Sequence, residues 1–162
     1  MNVTVDHLIQ IIHRELSSHR IERFTMTDLI RLSKVTRGTV YNYFESIDDL
    51  YIAAFQRLIM DKATEDSDSF EDFIYELVTN ISENKTFSLN FYRLTKMMHK
   101  RGFLINNLNK QLLRFNMKQD NDRIYVVSGF CFILINWFDA DLRNDKDKII
   151  EELNYYSQMI KE

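Results

Sequence analysis

The chain has 162 residues, a net charge of −3, no proline, three glycines and one cysteine. So few turn formers argue against strands joined by tight turns, so an all-α fold is expected, on a length that can bury a sizeable core. The slight negative charge excludes a general nucleic-acid binder, and lone Cys131 excludes both a disulfide framework and a cysteine-based zinc site.

Residues 3–16 place Val5, Leu8, Ile9, Ile12 and Leu16 at helical spacing, so they form one amphipathic helix. Residues 1–10 lack the basic start and apolar core of a signal peptide, and an intracellular, cytoplasmic protein is expected. Residues 17–23 are a polar break. Thr25 with Asp28 then makes a Thr-x-x-Asp helix start, in which the hydroxyl caps a free N–H and the carboxylate favours the positive end. Ser46 with Asp49, and Ser69 with Asp72, repeat the arrangement.

Between the first two starts lies a short helix, a tight turn and a second short helix. Leu29, Ile30 and Leu32 anchor the first, Val35 is the apolar turn residue, Thr36 caps the second, and Val40 and Phe44 face inward. Arg37, Gly38, Thr39, Asn42 and Tyr43 are left on or near the outer face. Arg pairs bidentately with guanine and Asn with adenine, whereas Thr and Tyr hydroxyls reach phosphates. Residues 29–44 contain Arg31, Lys34 and Arg37 and no acid, as a phosphate-facing patch requires. From spacing alone, two ordinary core helices joined by a turn account for the segment as well as a DNA reader does.

Further along, Leu50, Ala54, Phe55, Leu58 and Ile59 predict a helix over 47–62. Phe70, Phe73, Ile74, Leu77, Val78 and Ile81 predict the next, broken at Asn84 and Lys85. Phe87, Phe91, Leu94 and Met98 form another, with Gly102 expected to break it before Ile105, Leu108, Leu112 and Phe115. Residues 120–142 read as a mostly buried helix, 144–148 as a polar turn and 149–160 as the last amphipathic helix, for about nine helices in all. The apolar stretch 124–138 is interrupted by Ser128, Gly129 and Asn136 and is too short to span a bilayer, so no membrane partner is expected. Residues 61–76 are strongly acidic. Residues 85–118 carry Arg93, Lys96, Lys100, Arg101, Lys110, Arg114 and Lys118 without an acid, a solvated face in the plain reading and a second anion-binding surface in the sharper one.

Catalytic or metal chemistry finds little support. His7, His13 and His19 are spaced by six, whereas helical metal ligands prefer three or four, so they read as surface or packing residues and no metal or cofactor is expected. His99 stands alone, Asp48 and Asp49 are explained by helix-start electrostatics, and Cys131 lies in the most apolar helix, where an inert thiol is expected. Phe87, Phe91, Met98, Phe115 and Trp137 are candidates to line an apolar ligand pocket, with plain core filling as the alternative. Trp137 stands out because its indole N–H wants a partner when buried, one that nearby Asn136 and Asp139 need not supply.

The order of residues in 25–50 resembles the helix-turn-helix of the TetR family of bacterial transcription regulators. Thr27, Ile30, Val35, Thr36, Gly38, Thr39, Val40, Tyr41, Tyr43, Phe44, Ser46, Asp48 and Leu50 stand in matching places, and Gly-Thr-Val-Tyr-x-Tyr-Phe is the most specific part. The resemblance implies a three-helix DNA-binding domain over 1–50 and a helical dimerisation and effector domain over 51–162. Thr27, Lys34, Thr36, Arg37, Gly38, Thr39, Tyr41, Asn42 and Tyr43 become the candidate contacts to double-stranded DNA. Thr39, Tyr41 and Tyr43 fall at positions near the backbone, Arg37 and Asn42 at positions that choose bases. The resemblance further implies a homodimer reading a palindromic operator, repression, and release by a small apolar or anionic effector. The final helix pair would supply the interface, with Phe130, Leu134, Trp137, Leu153, Tyr156 and Ile160 as candidates. The alternatives are a protein-interaction module on the same fold and an effectorless activator.

Three departures stand out. Lys34 replaces the usual turn glycine, which implies either a left-handed residue at a cost of about 1 kcal/mol or an amine compensating at a phosphate. Ile47 replaces a lysine that contacts the backbone, and the chain is shorter than most members.

Overall fold

The computed structural model describes residues 2–117 and 122–161, and every described element is helical. Ten α segments follow one another: α1 (Val3–Ser18), α2 (Met26–Ser33), α3 (Arg37–Tyr43), α4 (Ile47–Phe55), α5 (Asp61–Glu65), α6 (Phe70–Glu83), α7 (Lys85–Leu94), α8 (Met97–Arg114), α9 (Arg123–Asp139) and α10 (Lys146–Lys161). A π turn, Gln56–Met60, joins α4 to α5 in one continuous rod, so the described residues form nine separate rods.

Three of the helix starts follow from their own first four residues. Asn2 and Ser69 side chains accept from Val5 N and Asp72 N, and Ser46 Oγ accepts from Asp49 N. Each satisfies one donor that a helix leaves free at its start. The rods then bury their apolar stripes in a single core. α1 packs on α2, α4 and α7, α6 lies against α5 and α10, and α9 is held between α8 and α10. Gly129 is the tight point of the α9–α10 contact, because a Cβ there would sit 2.1 Å from the Tyr156 hydroxyl. That hydroxyl donates to the Val126 carbonyl at 3.1 Å, so it cannot simply swing away.

Several expected boundaries move. The rod expected to end at residue 62 continues to Glu65 through the π turn. Gly102 breaks nothing and lies inside α8, where it is exposed and a side chain would meet open space. The break falls instead at Thr95 and Lys96, for a reason no local pattern carries. Asp48, in the first turn of α4, accepts from Lys96 N at 3.0 Å and from His99 Nδ1 at 2.8 Å and so fixes where α8 begins. The last helix starts three residues early, at Lys146. The expected start of α9 at Asp120, the last of the predicted basic run, Lys118, and Met1 lie outside the described residues.

Within the basic run 85–117, three cations are spent internally. Arg93 pairs with Asp141 at 2.9 Å, and Arg114 donates to the Thr64 and Ser67 carbonyls. Lys100 is only 6% exposed; its Nζ donates to the Tyr92 carbonyl and lies 3.5 Å from the centre of the Tyr92 ring. Burial holds its pKa below the usual lysine value. The exposed remainder is Lys85, Lys96, Arg101 and Lys110. No described helix is long and apolar enough to cross a membrane.

Candidate nucleic-acid interface

α2 and α3 owe their geometry to short-range hydrogen bonds. At the start of α2, Thr25 Oγ1 accepts from Asp28 N at 3.2 Å while Asp28 Oδ2 accepts from Thr25 N at 2.8 Å, a closed capping box. Those bonds from Thr25, helped by Arg31, hold the Asp28 carboxyl below the usual carboxylate range. At the start of α3, Thr36 Oγ1 accepts from Thr39 N at 3.3 Å and donates to Thr39 Oγ1 at 2.8 Å. Val40 and Phe44 are buried, four residues apart on the inner face.

The turn between the two helices is bound on both sides. Lys34 is left-handed, with φ 58° and ψ 20°, and its N–H donates to the Ile30 carbonyl at 3.0 Å. A lysine has therefore taken the backbone state that glycine adopts more cheaply. Val35 N donates to Ser33 Oγ at 3.2 Å, and His7 Nε2 reaches from α1 to the Ser33 carbonyl at 3.0 Å. Behind the turn, the buried Tyr51 hydroxyl of α4 donates to the Phe24 carbonyl at 2.9 Å. Burial, then nearby Asp48 and Asp28, push that phenol's pKa up, which keeps it a donor.

What remains outward is a polar face. Thr27, Lys34, Thr36, Arg37, Gly38, Tyr41, Asn42 and Tyr43 are exposed and Thr39 is half-buried. No side-chain polar group of Lys34, Arg37, Tyr41, Asn42 or Tyr43 bonds to another described residue. Gly38 has a negative φ and nothing within 4 Å of where a Cβ would stand, so nothing within the chain requires a glycine there. Ile47, the departure at the start of α4, is half-buried against the core.

The pocket candidates scatter. Phe87 and Phe91 are buried and stack on Phe55, with ring centres 4.2 Å apart for Phe55 and Phe91, and Phe103 meets Phe55 and Phe91 edge-on. Phe115 is half-buried, and Met98 is 80% exposed on the first turn of α8. Trp137 is buried, and its indole donates to the Asn144 carbonyl at 3.0 Å, a partner beyond the helix end rather than Asn136 or Asp139. A cleft of about 450 Å³ does lie between α8 and α9, lined by Met97, Arg101, Ile105, Cys131, Phe132 and Asp139 among others. Burial pushes the Cys131 thiol up to about 12, so it stays protonated.

Among the interface candidates, Phe130, Leu134, Trp137 and Leu153 are buried inside the chain, where they hold α9 to its neighbours. Tyr156 and Ile160 are half-buried. The apolar groups that α9 and α10 expose are Ile124, Tyr125, Phe132, Tyr155 and Met159. On each helix the most apolar positions are taken by the chain's own core. His7 and Asn90 help to position this half of the molecule and carried no signal beyond being polar residues within or beside apolar stripes. Among the described residues no group of three His, Cys, Asp or Glu side chains could hold a metal ion.

The profile of the bacterial regulatory proteins of the tetR family matches residues 9–54, a span that holds α2, α3 and most of α1 and α4. Two solved structures share the fold along nearly the whole chain. A TetR transcriptional regulator from Rhodococcus sp. RHA1 has TM-score 0.68 at 12% identity, covering 97% of this chain and 94% of the other. A dihydroxyacetone kinase operon activator, DhaS, has TM-score 0.64 at 16% identity, covering 98% and 97%. No curated protein sequence matches the chain significantly. Residues 9–54 thus match the helix-turn-helix profile of the tetR family, and the chain as a whole shares the fold of these two solved structures.

Proposed function

We propose that the protein is a site-specific transcription regulator that binds a palindromic DNA operator as a homodimer, with α3 in the major groove. The observation that carries this reading is the outward set Lys34, Arg37, Tyr41, Asn42 and Tyr43, whose polar groups are left unused by a chain that caps its helices with such care. Arg37 and Asn42 read base edges; Thr39, Tyr41, Tyr43 and Thr27 fix register on phosphates; Gly38 admits the backbone closely. Lys34, already in the left-handed state, presents its amine to a phosphate. The division between the two functional units falls near residue 50, within α4. Dimerisation uses the outer faces of α9 and α10, where Tyr125, Phe132, Tyr155 and Met159 supply the apolar area. The two recognition helices then sit about 34 Å apart, one turn of DNA.

Two signs of regulation fit this scaffold. Repression with release by a small molecule is one. An activator without an effector is the other, and the aromatic cluster of Phe55, Phe87, Phe91 and Phe103, together with a structural neighbour described as an operon activator, favours it.

The test is binding to DNA from just upstream of the protein's own gene, and to a random duplex pool, at several salt concentrations. Tight, competitor-resistant binding by a dimer supports the reading. Asn42→Ala should cost about 1–3 kcal/mol and relax preference at one base pair, whereas Tyr41→Phe should weaken all sequences alike. If Asn42→Ala leaves operator preference intact, its assigned role is wrong. Binding that vanishes with salt, and no sequence recovered from the pool, would shift the reading to a protein-interaction module.

A further inference from the structure

The π turn in the α4–α5 rod has a cause in the sequence and a clasp in the structure. Tyr51, Phe55, Ile59 and Ala63 are each at most 1% exposed and are spaced by four. In an ordinary α-helix four residues turn through about 400°, so each step carries the buried stripe about 40° further round the rod. One wider turn, closed by the Asp61 N–H donating to the Gln56 carbonyl five residues back, returns the stripe to the core.

The carbonyls of this turn also meet a side-chain donor from a neighbouring helix, Asn80 of α6. Its amide is buried, and Nδ2 donates to the Leu58 carbonyl at 3.1 Å and the Ile59 carbonyl at 3.0 Å. Asn84 orients it in turn, donating from Nδ2 to Asn80 Oδ1 at 2.9 Å and to the Asn80 carbonyl at 2.8 Å. On the other side of the same turn, Arg57 pairs with Asp6 of α1. Before the turn the rod packs on α1, α7 and α8; after it, on α6. The turn therefore stands where the rod passes from the α1, α7 and α8 side of the core onto α6.

We propose that Asn80 is a positioning residue: it holds the rod in its π-turned register and thereby sets the angle at which the helix-turn-helix is carried on the C-terminal helices. A change of one residue in register would rotate everything beyond it by about 100°, so a clasp on the carbonyls of this turn bears directly on the direction of the rod. Only the DNA arm of the test rests on α3 being a DNA reader.

The test compares Asn80→Leu with Leu77→Ala, a control that removes apolar packing from the same helix. Spin labels at Glu45→Cys and Lys110→Cys, both exposed sites, in a Cys131→Ser background report the separation of the end of α3 from α8. Asn80→Leu should shift or broaden that separation by several ångströms, and Leu77→Ala should leave it in place while lowering the melting temperature. On the duplex that the wild-type protein selects from a random pool, Asn80→Leu should lose about tenfold more affinity than the control, or about 1.4 kcal/mol. An unchanged separation in Asn80→Leu, or an equal shift in Leu77→Ala, overturns the proposal. Should Asn80→Leu fail to fold, Asn84→Ala removes only the group that orients the amide; a smaller shift in the same direction supports the clasp, and no shift overturns it. If the wild type selects no duplex, the DNA reading fails while the spin-label distance still decides this inference.

Discussion

The helix-turn-helix and the pair α7 and α8 are built on opposite principles. In α2, α3 and α4, each start is capped within three residues, by Thr25, Thr36 and Ser46. In α7 and α8 no side chain of the preceding residue caps the start, and polar groups from far along the chain bound α8 and the end of α1. Asp48 meets Lys96 and His99. Asn90 donates to the Leu16 and His19 carbonyls, where α1 ends, and accepts from Ile21 N. A short helix that must present side chains to an outside partner has little core to hold it, so local caps matter most there. Longer helices buried on several sides can leave their ends to be met by neighbours.

If that contrast is right, long-range clasps should be the costliest to remove. Asn90→Ala should destabilise by about 4 kcal/mol, because a fully buried amide serving three backbone groups is lost at once and each stranded group costs about 1–3 kcal/mol. Denaturant unfolding measures this, and a loss under about 1 kcal/mol would mean that water replaces the amide without penalty. Asp48→Ala should cost about 2 kcal/mol and raise amide exchange in the first turn of α8, far from the substitution in sequence. Unchanged protection there would break the claim that α8 takes its start from α4.

Local caps should cost less and act nearby. Thr25→Ala should cost about 1 kcal/mol, with exchange rising in α2 alone. The smallest effect is one of pH. The Asp28 carboxyl is held below its ordinary value in the fold, so its contribution is complete above the unfolded pKa of about 3.9 and is lost as pH falls through the folded value. Asp28→Asn should therefore flatten the acid limb of the melting-temperature profile relative to wild type. An equally steep limb in both proteins would place the acid sensitivity elsewhere.

Much was legible before any coordinates. Periodicity of Leu8, Ile9, Ile12 and Leu16, or of Phe73, Ile74, Leu77 and Ile81, is a local record of one buried face. The Thr-x-x-Asp and Ser-x-x-Asp starts are likewise complete within four residues. The outward set from Lys34 to Tyr43 could be read because a recognition helix keeps its inner residues, Val40 and Phe44, apart from its outer ones by turn alone. At Lys34 the resemblance left two alternatives, a left-handed residue or an amine at a phosphate, and the backbone is left-handed.

The sequence by itself thus determined the helical class, the capped helix-turn-helix and the side chains that face outward, since each depends on residues within a turn of one another. The tertiary structure alone decided the rest. It moved the α7–α8 break from Gly102 to Thr95, because the carboxylate that sets it sits 48 positions earlier in the chain. It brought Phe55, Phe87, Phe91 and Phe103 from α4, α7 and α8 into one aromatic cluster. It gave the Trp137 indole a carbonyl past the end of α9, and it placed the Asn80 amide on the π turn. These are pairings of a polar or bulky group with whatever neighbour the packed helices bring to it. No periodicity within one helix encodes which neighbour that will be.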